Sequence, residues 1–256
     1  MTPFLVGALR PYAPTVHHVC HPDATPPDVA DGVERRSLVP PERGSELALD
    51  ELRLEPDASL DLTDERHDTL LLAFEGSGSV CGERLGGRGG ALLRAGQDGN
   101  LHAGSEGLRC VRATIGAATD LHAPMGGDER LVALDHVEPG QATGSRSFQL
   151  LYGPHNGSTR ATLFVGYIPP GRAPWHYHLY DEIVWILDGQ GRLHLGEQVE
   201  ELRSGWAFRL RPREVHIVEN TSSGRELAVL GVFTPAGSPS AAYLTADVAE
   251  TYAFAG

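Results

Sequence analysis

The chain repeats itself at a spacing of 113 residues, and this repeat limits the folds open to it. The shift superimposes Gly44-Ser45 on Gly157-Ser158 and Gly76-x-Gly78 on Gly189-x-Gly191. The apolar runs beside these anchors are short and bounded by glycine, proline, asparagine or aspartate, which indicates strands rather than helices. The sequence therefore predicts an all-β chain built from two similar tandem units.

The repeat divides the chain into segments. Residues before the first unit are rich in proline, which disfavours regular helix, and the connection between the units contains one likely strand at 130–136. The C-terminal tail has the pattern of a short helix at 245–254. The predicted segments are an extended arm (1–32), a first unit (33–118), a linker (119–144), a second unit (145–238) and a tail (239–256).

The second unit contains a group of residues with the spacing of a metal site. His176 and His178 are two apart, so in a strand their side chains point to the same face, and Glu182 follows across a short turn. His216 would join them from a later strand. Three neutral imidazoles and a carboxylate suit one divalent transition metal, Fe, Mn, Ni, Co or Zn. Such a set leaves one or two coordination positions open for water or substrate.

The order of these residues resembles the two signature motifs of the cupin superfamily. The motifs read His-x-His-x3-Glu-x6-Gly and Gly-x6-Pro-x3-His-x3-Asn, and this chain carries them at His176, His178, Glu182, Gly189, Gly205, Pro212, His216 and Asn220. Two positions depart from the pattern, the shortened spacing after Gly171 and Glu214 in place of glycine, but neither removes a ligand. The resemblance implies two double-stranded β-helix (jelly-roll) barrels, with the metal inside the second.

The first unit lacks most of this ligand set. At the repeat spacing, the two histidines of the His-x-His pair fall on Thr63 and Glu65, and the glutamate falls on Thr69. Only His102 keeps its residue type, opposite the last histidine. We expect a first barrel without metal, although Glu65 and His67 could join His102 in an altered site.

Alternation along the strand after Glu182 predicts the surroundings of the metal. Val184 and Ile186 should face inward and form an aliphatic wall, whereas Trp175 and Trp185 should face outward. Outward aromatic residues are expected to pack on the other barrel or on a second subunit, which would form a homodimer. Tyr180 lies in the turn between the ligands and is a candidate pocket residue.

Two further features are assigned no firm role. We expect Arg209 and Arg211 to point outward, whereas an inward Arg209 would form a carboxylate clamp near the metal. The cluster His17-His18-x-Cys20-His21 has no second ligand group at zinc-site spacing, so we interpret it as structural or incidental.

Composition excludes several classes of function. The net charge of −13 disfavours nucleic acid and anionic membrane surfaces as partners. All 21 basic residues are arginine, which excludes lysine-based covalent catalysis. Three widely spaced cysteines and the lack of a secretion signal predict reduced thiols and a cytoplasmic location.

The resemblance leaves two kinds of function open. The first is a metal-dependent enzyme acting on a small oxygen-bearing organic molecule, with a dioxygenase as the leading hypothesis and an isomerase, decarboxylase or hydrolase as alternatives. Oxalate decarboxylases fit less well, because they are expected to carry ligands in both halves. The second is a cupin that binds a small ligand without converting it. The sequence offers few acid or base groups near the metal, so chemistry would have to come from the metal itself.

Overall fold

The structure, a computed structural model, describes residues 19–117, 120, 122–142 and 145–244. Nearly all regular structure in these residues is β, interrupted by short 3-10 helices at Pro22–Ala24, Leu134–His136 and Pro154–Asn156. No helix in the described part of the chain is long and apolar enough to cross a bilayer. The predicted helix at 245–254, together with His17 and His18, lies outside the described residues.

The first barrel is built from one sheet in the order β1-β2-β3-β8-β5-β7-β9, with β4 paired to β8 and β6 paired to β5. All neighbouring strands are antiparallel. The strands are β1 (Asp28–Ala30), β2 (Val33–Val39), β3 (Ala48–Leu54), β4 (Ser59–Asp61), β5 (Asp68–Val80), β6 (Glu83–Leu85), β7 (Gly89–Leu93), β8 (Asn100–Ile115) and β9 (Leu131–Ala133).

The second barrel contains three sheets, in the orders β10-β11-β12-β20-β15-β18, β13-β19-β16-β17 and β14-β21. The strands are β10 (Gly140–Gln141), β11 (Ser147–Tyr152), β12 (Thr162–Ile168), β13 (Gly171–Arg172), β14 (His176–Tyr177), β15 (Asp181–Asp188), β16 (Gln190–Leu195), β17 (Gln198–Arg203), β18 (Ala207–Leu210), β19 (Ile217–Asn220), β20 (Leu227–Thr234) and β21 (Tyr243–Leu244).

The two barrels share one topology. The order β2-β3-β8-β5-β7 in the first barrel matches β11-β12-β20-β15-β18 in the second. Thr69 and Glu182 occupy the same place in this order, because each is the second residue of its strand, β5 or β15. The predicted fold class, two tandem jelly-roll barrels in an all-β chain, is confirmed.

Apolar side chains form one core inside each barrel and a third core between the barrels. Val184 and Ile186 belong to the interior of the second barrel. Ile183 and Trp185, on the opposite face of β15, pack with residues of the first barrel in the third core. The Trp185 ring lies 4.9 Å from Phe74 of the first barrel, so the predicted alternation is confirmed and the aromatic contact is made within the chain.

The segments outside the repeats are part of the sheets. The predicted strand at 130–136 is present as β9 and ends in a 3-10 turn, and β9 extends the first sheet by pairing with β7. The arm reaches the second barrel at Cys20, which pairs with Ala207, and then supplies β1 to the first sheet. The arm and the linker therefore each form strand contacts with both barrels.

Candidate metal centre

Three histidines converge inside the second barrel. His176 lies in β14, His178 follows this strand, and His216 directly precedes β19. Two backbone hydrogen bonds hold His176 against His216, at 3.3 and 2.9 Å. One ring nitrogen from each of the three lies within 4.8 Å of the others, and all three residues are buried. The structure thus brings together the three predicted imidazole ligands.

Backbone carbonyls fix the orientation of two of these rings. His176 Nδ1 lies 2.9 Å from the carbonyl oxygen of Pro174, and His216 Nδ1 lies 2.9 Å from that of Glu214. A carbonyl only accepts, so each Nδ1 carries the hydrogen and each Nε2 keeps a free lone pair. This is the orientation that metal-binding histidines usually adopt.

The histidines are uncharged at neutral pH. Burial lowers the pKa of His176 to about 4 and that of His178 to about 3, and it lowers the pKa of His216 well below its usual value. Moreover, the buried His178 Nδ1 has no hydrogen-bond partner among the described residues. Neutral imidazoles with unused lone pairs at this spacing fit a divalent transition metal.

Glu182 lies beside this group, near the start of β15. Its Oε2 is 3.3 Å from His178 Nδ1, but the carboxylate is not among the groups that lie within 4.8 Å of all three histidines. Burial raises the pKa of Glu182 to about 8, so the contact with the neutral His178 is not an ion pair at pH 7. Glu182 and the histidines line the same cavity.

The cavity is small and mostly apolar. It encloses about 90 Å³, and Phe164, Val184 and Val229 are among the side chains of its wall. Since a water needs roughly 10–15 Å³ by this measure, the cavity has room for a molecule of about six to nine non-hydrogen atoms. Val184 forms part of the wall as predicted, whereas Ile186 packs deeper in the barrel core.

Two polar side chains share this cavity with the ligands. Tyr180 is buried and stacks between His178, at 4.6 Å, and Phe233, at 3.9 Å, which places the predicted pocket residue at the site. Arg146, just before β11, also lines the cavity. Burial lowers the pKa of this guanidinium, and Glu182 and Tyr180 act in the opposite direction.

Sequence reasoning did not identify Arg146. It stands 30 residues before His176 and outside both motifs, and no signal in the sequence distinguishes it from the other arginines. Pairing of β10 and β11 at the barrel mouth brings it to the cavity. Its position is a consequence of the fold.

The C-terminal segment covers the cavity. Pro239 and Ala242 line it, and β21 pairs with β14, the strand that contains His176. Tyr243 stacks on Tyr177 with ring centroids 5.5 Å apart. Residues predicted as a tail therefore form part of the site.

Arg209 points out of its own barrel, as expected from the sequence, but it is buried there and does not form a carboxylate clamp in the metal cavity. Its guanidinium donates a short hydrogen bond to the carbonyl oxygen of Leu47 in the first barrel and lies 3.8 Å from Asp181. Arg209 belongs to β18, and its side chain points to the interface while those of its neighbours Phe208 and Leu210 point into the barrel. Arg209 thus binds the first barrel rather than a substrate.

The corresponding positions of the first barrel carry other contacts. Thr69 is the second residue of β5, as Glu182 is of β15. The expected match of His102 with His216 is wrong, because His102 pairs with Ser59 and Ser79 as Glu219 pairs with Arg172 and Arg192. His102 Nδ1 lies 2.9 Å from the Ser59 hydroxyl. His67 contacts Asp64 at 3.0 Å. In the described part of the chain, metal-binding spacing is found at the histidine group of the second barrel.

Comparisons with known proteins agree with this geometry. Residues 164–233 match the family model described as Cupin domain. No curated protein matches the chain at significant similarity. Oxalate decarboxylase of Lactobacillus farciminis, solved as a formate complex, superimposes with a TM-score of 0.74 at 11% identity, over 94% of this chain and 92% of that chain.

A structure of Bacillus subtilis oxalate decarboxylase, used to study its Mn(II) centres, gives a TM-score of 0.73 at 14% identity, over 95% of this chain and 86% of that chain. At such identities the likeness concerns the fold alone. The segment that matches the Cupin domain model contains all three histidines and Glu182, in a chain with the fold of the oxalate decarboxylases.

Proposed function

We propose that the protein is a metal-dependent enzyme that releases carbon dioxide from a small organic carboxylate. His176, His178, Glu182 and His216 would hold the metal in this proposal. When bound, a divalent cation would supply Lewis acidity that polarises an oxygen atom of the substrate. Manganese is the first candidate, since the Bacillus subtilis neighbour has Mn(II) centres.

The placement of Arg146 carries the proposal. Its guanidinium shares a small, largely apolar cavity with three imidazoles, and a guanidinium binds carboxylates through paired hydrogen bonds. A planar anionic group is therefore the best ligand for this side of the cavity. A substrate held there at one carboxylate would present its remaining oxygen atoms to the metal ligands.

Cavity size restricts the substrate further. About 90 Å³ is enough for a short carboxylic or dicarboxylic acid but not for a multi-ring flavonol. This restriction weakens the dioxygenase hypothesis for multi-ring substrates. The two solved structures described above are oxalate decarboxylases, which favours the decarboxylase alternative.

The chain's own residues support the proposed reaction. The carbon–carbon bond to the carboxylate breaks, carbon dioxide leaves, and the remaining carbon keeps the electron pair and takes up a proton. Burial raises the pKa of the Tyr180 phenol, so its hydroxyl stays protonated and can donate a hydrogen bond toward that carbon or a neighbouring oxygen. Val184, Phe164 and the segment containing Pro239 and Ala242 would exclude water.

The division of labour between the units is also a proposal. The second unit, 145–238, would hold the metal, while the first, 33–118, would serve as a support without a metal. Thr69 in place of Glu182 favours this division, as does the position of His102, which matches Glu219 rather than the ligand His216. The third core and the contact of Arg209 with Leu47 give the first unit a structural role.

The experiment is a screen of Mn(II)- and Fe(II)-loaded protein with small acids, including oxalate, malonate and α-keto acids, following carbon dioxide release and oxygen uptake together. The proposal predicts carbon dioxide release without matching net oxygen consumption. Arg146→Gln should abolish turnover with metal content unchanged, and Arg146→Lys should retain part of it.

Each other outcome points elsewhere. Oxygen consumed in proportion to product would restore the dioxygenase hypothesis. Binding of acids without turnover would identify a ligand-binding cupin. Unchanged turnover in Arg146→Gln would contradict the assigned role of the guanidinium.

A further inference from the structure

The ring of Phe164 forms the part of the metal-cavity wall that lies beside Glu182. Phe164 lies in β12, directly opposite Gly231 of β20. A Cβ added at Gly231 would collide with the edge of the Phe164 ring, and it would lie 2.9 Å from Glu182 Oε1. The ring and the carboxylate therefore meet over the same glycine, next to one of the predicted metal ligands.

Glycines at two neighbouring positions let this ring lie across the sheet. The first is Gly231. The second is Gly166, two residues along β12, where an added Cβ would lie 3.3 Å from Phe164 Cε2. Glycine weakens the interior of a strand, and here the Phe164 ring occupies the space that the missing side chains leave. The backbone of β12 and β20 thus supports the ring from one side.

Two further aromatic rings contact Phe164 and restrict its orientation. Phe148 of β11 and Phe233 of β20 meet it edge to face, with ring centroids 6.3 and 6.0 Å away. Phe148 also lines the cavity and stands two residues after Arg146. The wall therefore runs from Glu182 over Phe164 to Phe148, on the strand that follows Arg146.

Phe164 belongs to the cavity wall and not to a core. It is half-buried, and it is part of neither the core of the second barrel nor the core between the barrels. Val184 and Val229, by contrast, belong both to the wall and to the barrel core. Replacing Phe164 should therefore change the shape of the cavity more than it changes the rest of the fold.

We propose that Phe164 sets the length of the acid that the metal cavity accepts. This inference rests on the proposed function, because it takes a short carboxylate held between Arg146 and the metal ligands as the molecule that lies against the ring. A longer acid would collide with a ring that the glycines and the neighbouring aromatic rings hold in place. One surplus methylene group in an apolar pocket typically changes selectivity about 10–200-fold.

Oxalate and adipate are the test probes, because a cavity of about 90 Å³ has room for oxalate but not for adipate, which is longer by four methylene groups. Both are titrated by calorimetry into the Mn(II)-loaded full chain and into its Phe164→Ala and Phe164→Leu variants. The readout is binding, so it does not require turnover. We expect the ratio of the adipate Kd to the oxalate Kd to fall by about tenfold or more in Phe164→Ala, and by less in Phe164→Leu.

Phe208→Leu is the matched control, because it makes the same substitution in the same barrel away from the cavity. Phe208 is 1% exposed, belongs to the barrel core and does not line the cavity. This variant should unfold at a lower urea concentration but keep the native ratio of the two constants. A ratio that changes as much in Phe208→Leu as in Phe164→Leu would assign the selectivity to general packing and overturn the proposal.

Three further results would overturn the proposal. They are a ratio that neither Phe164 variant alters, binding of adipate to the native chain as tight as that of oxalate, and binding of neither acid. The proposed function fails in a different way. A chain that binds oxalate with the expected selectivity but releases no carbon dioxide from any acid would contradict the proposed function and leave the role of Phe164 intact.

Discussion

Replacing Arg209 by methionine should destabilise the whole protein, because this side chain connects the barrels from a buried position. Its side chain is 6% exposed. It donates hydrogen bonds to the carbonyl oxygens of Leu47 and Pro40, and its charge lies 3.4 Å from Glu42 and 3.8 Å from Asp181. Methionine fills much of the same volume but supplies none of these donors.

The magnitude follows from what is left behind. Removing one partner of a buried ion pair typically costs about 3–5 kcal/mol. Glu42 keeps a second arginine, Arg211, at 2.6 Å, and burial raises the pKa of Asp181 despite its contacts with Ser45 and Arg209. Both facts reduce the charge left uncompensated, so we expect the lower end, about 3 kcal/mol. That is a large part of the total of about 5–15 kcal/mol for a typical domain.

Urea unfolding followed by circular dichroism measures this change in the free energy of unfolding. The matched control is Arg225→Met, whose side chain is 83% exposed and pairs with Asp188 at 3.3 Å, and which should cost about 0–1 kcal/mol. Adding Asp181→Asn to Arg209→Met should recover about 1 kcal/mol, because it removes the buried charge. Equal losses for the two methionine variants would refute the assignment of Arg209 to the interface.

Three further predictions concern the metal cavity. Burial lowers the pKa of His178 to about 3, below its unfolded value near 6.5, so its contribution to stability is present at pH 7 and lost on acidification. Between pH 7 and pH 5, the free energy of unfolding measured in urea should therefore fall by about 2 kcal/mol more in the metal-free protein than in metal-free His178→Ala. Equal losses would contradict this pKa. Tyr180→Phe should keep metal content by elemental analysis but lower turnover about 100-fold, whereas full activity would exclude a role for the hydroxyl. Gly231→Ala places a methyl group 2.3 Å from the Phe164 ring and should cost about 1–3 kcal/mol in urea unfolding, against a negligible loss for Gly224→Ala, which has open space.

The barrel pair and the histidine group could be predicted because local patterns encode them. Alternation along β15 predicted that the Val184 side chain points into the barrel and that the Trp185 side chain points out of it. The short spacing of His176 and His178 placed both rings on one side. Thr69 and Glu182 hold the same place in β5 and β15, as the repeat indicated, whereas His102 aligns with Glu219 and not with His216. These features depend on residues close in sequence or on a repeat of the same strand order.

Long-range packing determines what the sequence did not reveal. Arg146 reaches the cavity through the pairing of β10 with β11, and β21 reaches it by pairing with β14. Alternation placed Arg209 outside its own barrel but could not show that the first barrel covers that face and buries it. Such contacts depend on how the two barrels meet, which no local pattern specifies.

Anomalous diffraction from crystals loaded with Mn(II) would show directly whether the second barrel holds a metal through its histidine group. We expect one strong peak at bonding distance from the imidazole nitrogens of His176, His178 and His216 and from the carboxylate of Glu182. Its absence from the His176→Ala, His178→Ala double variant would complete the assignment. A peak elsewhere in the chain, or none at saturating Mn(II), would contradict this assignment.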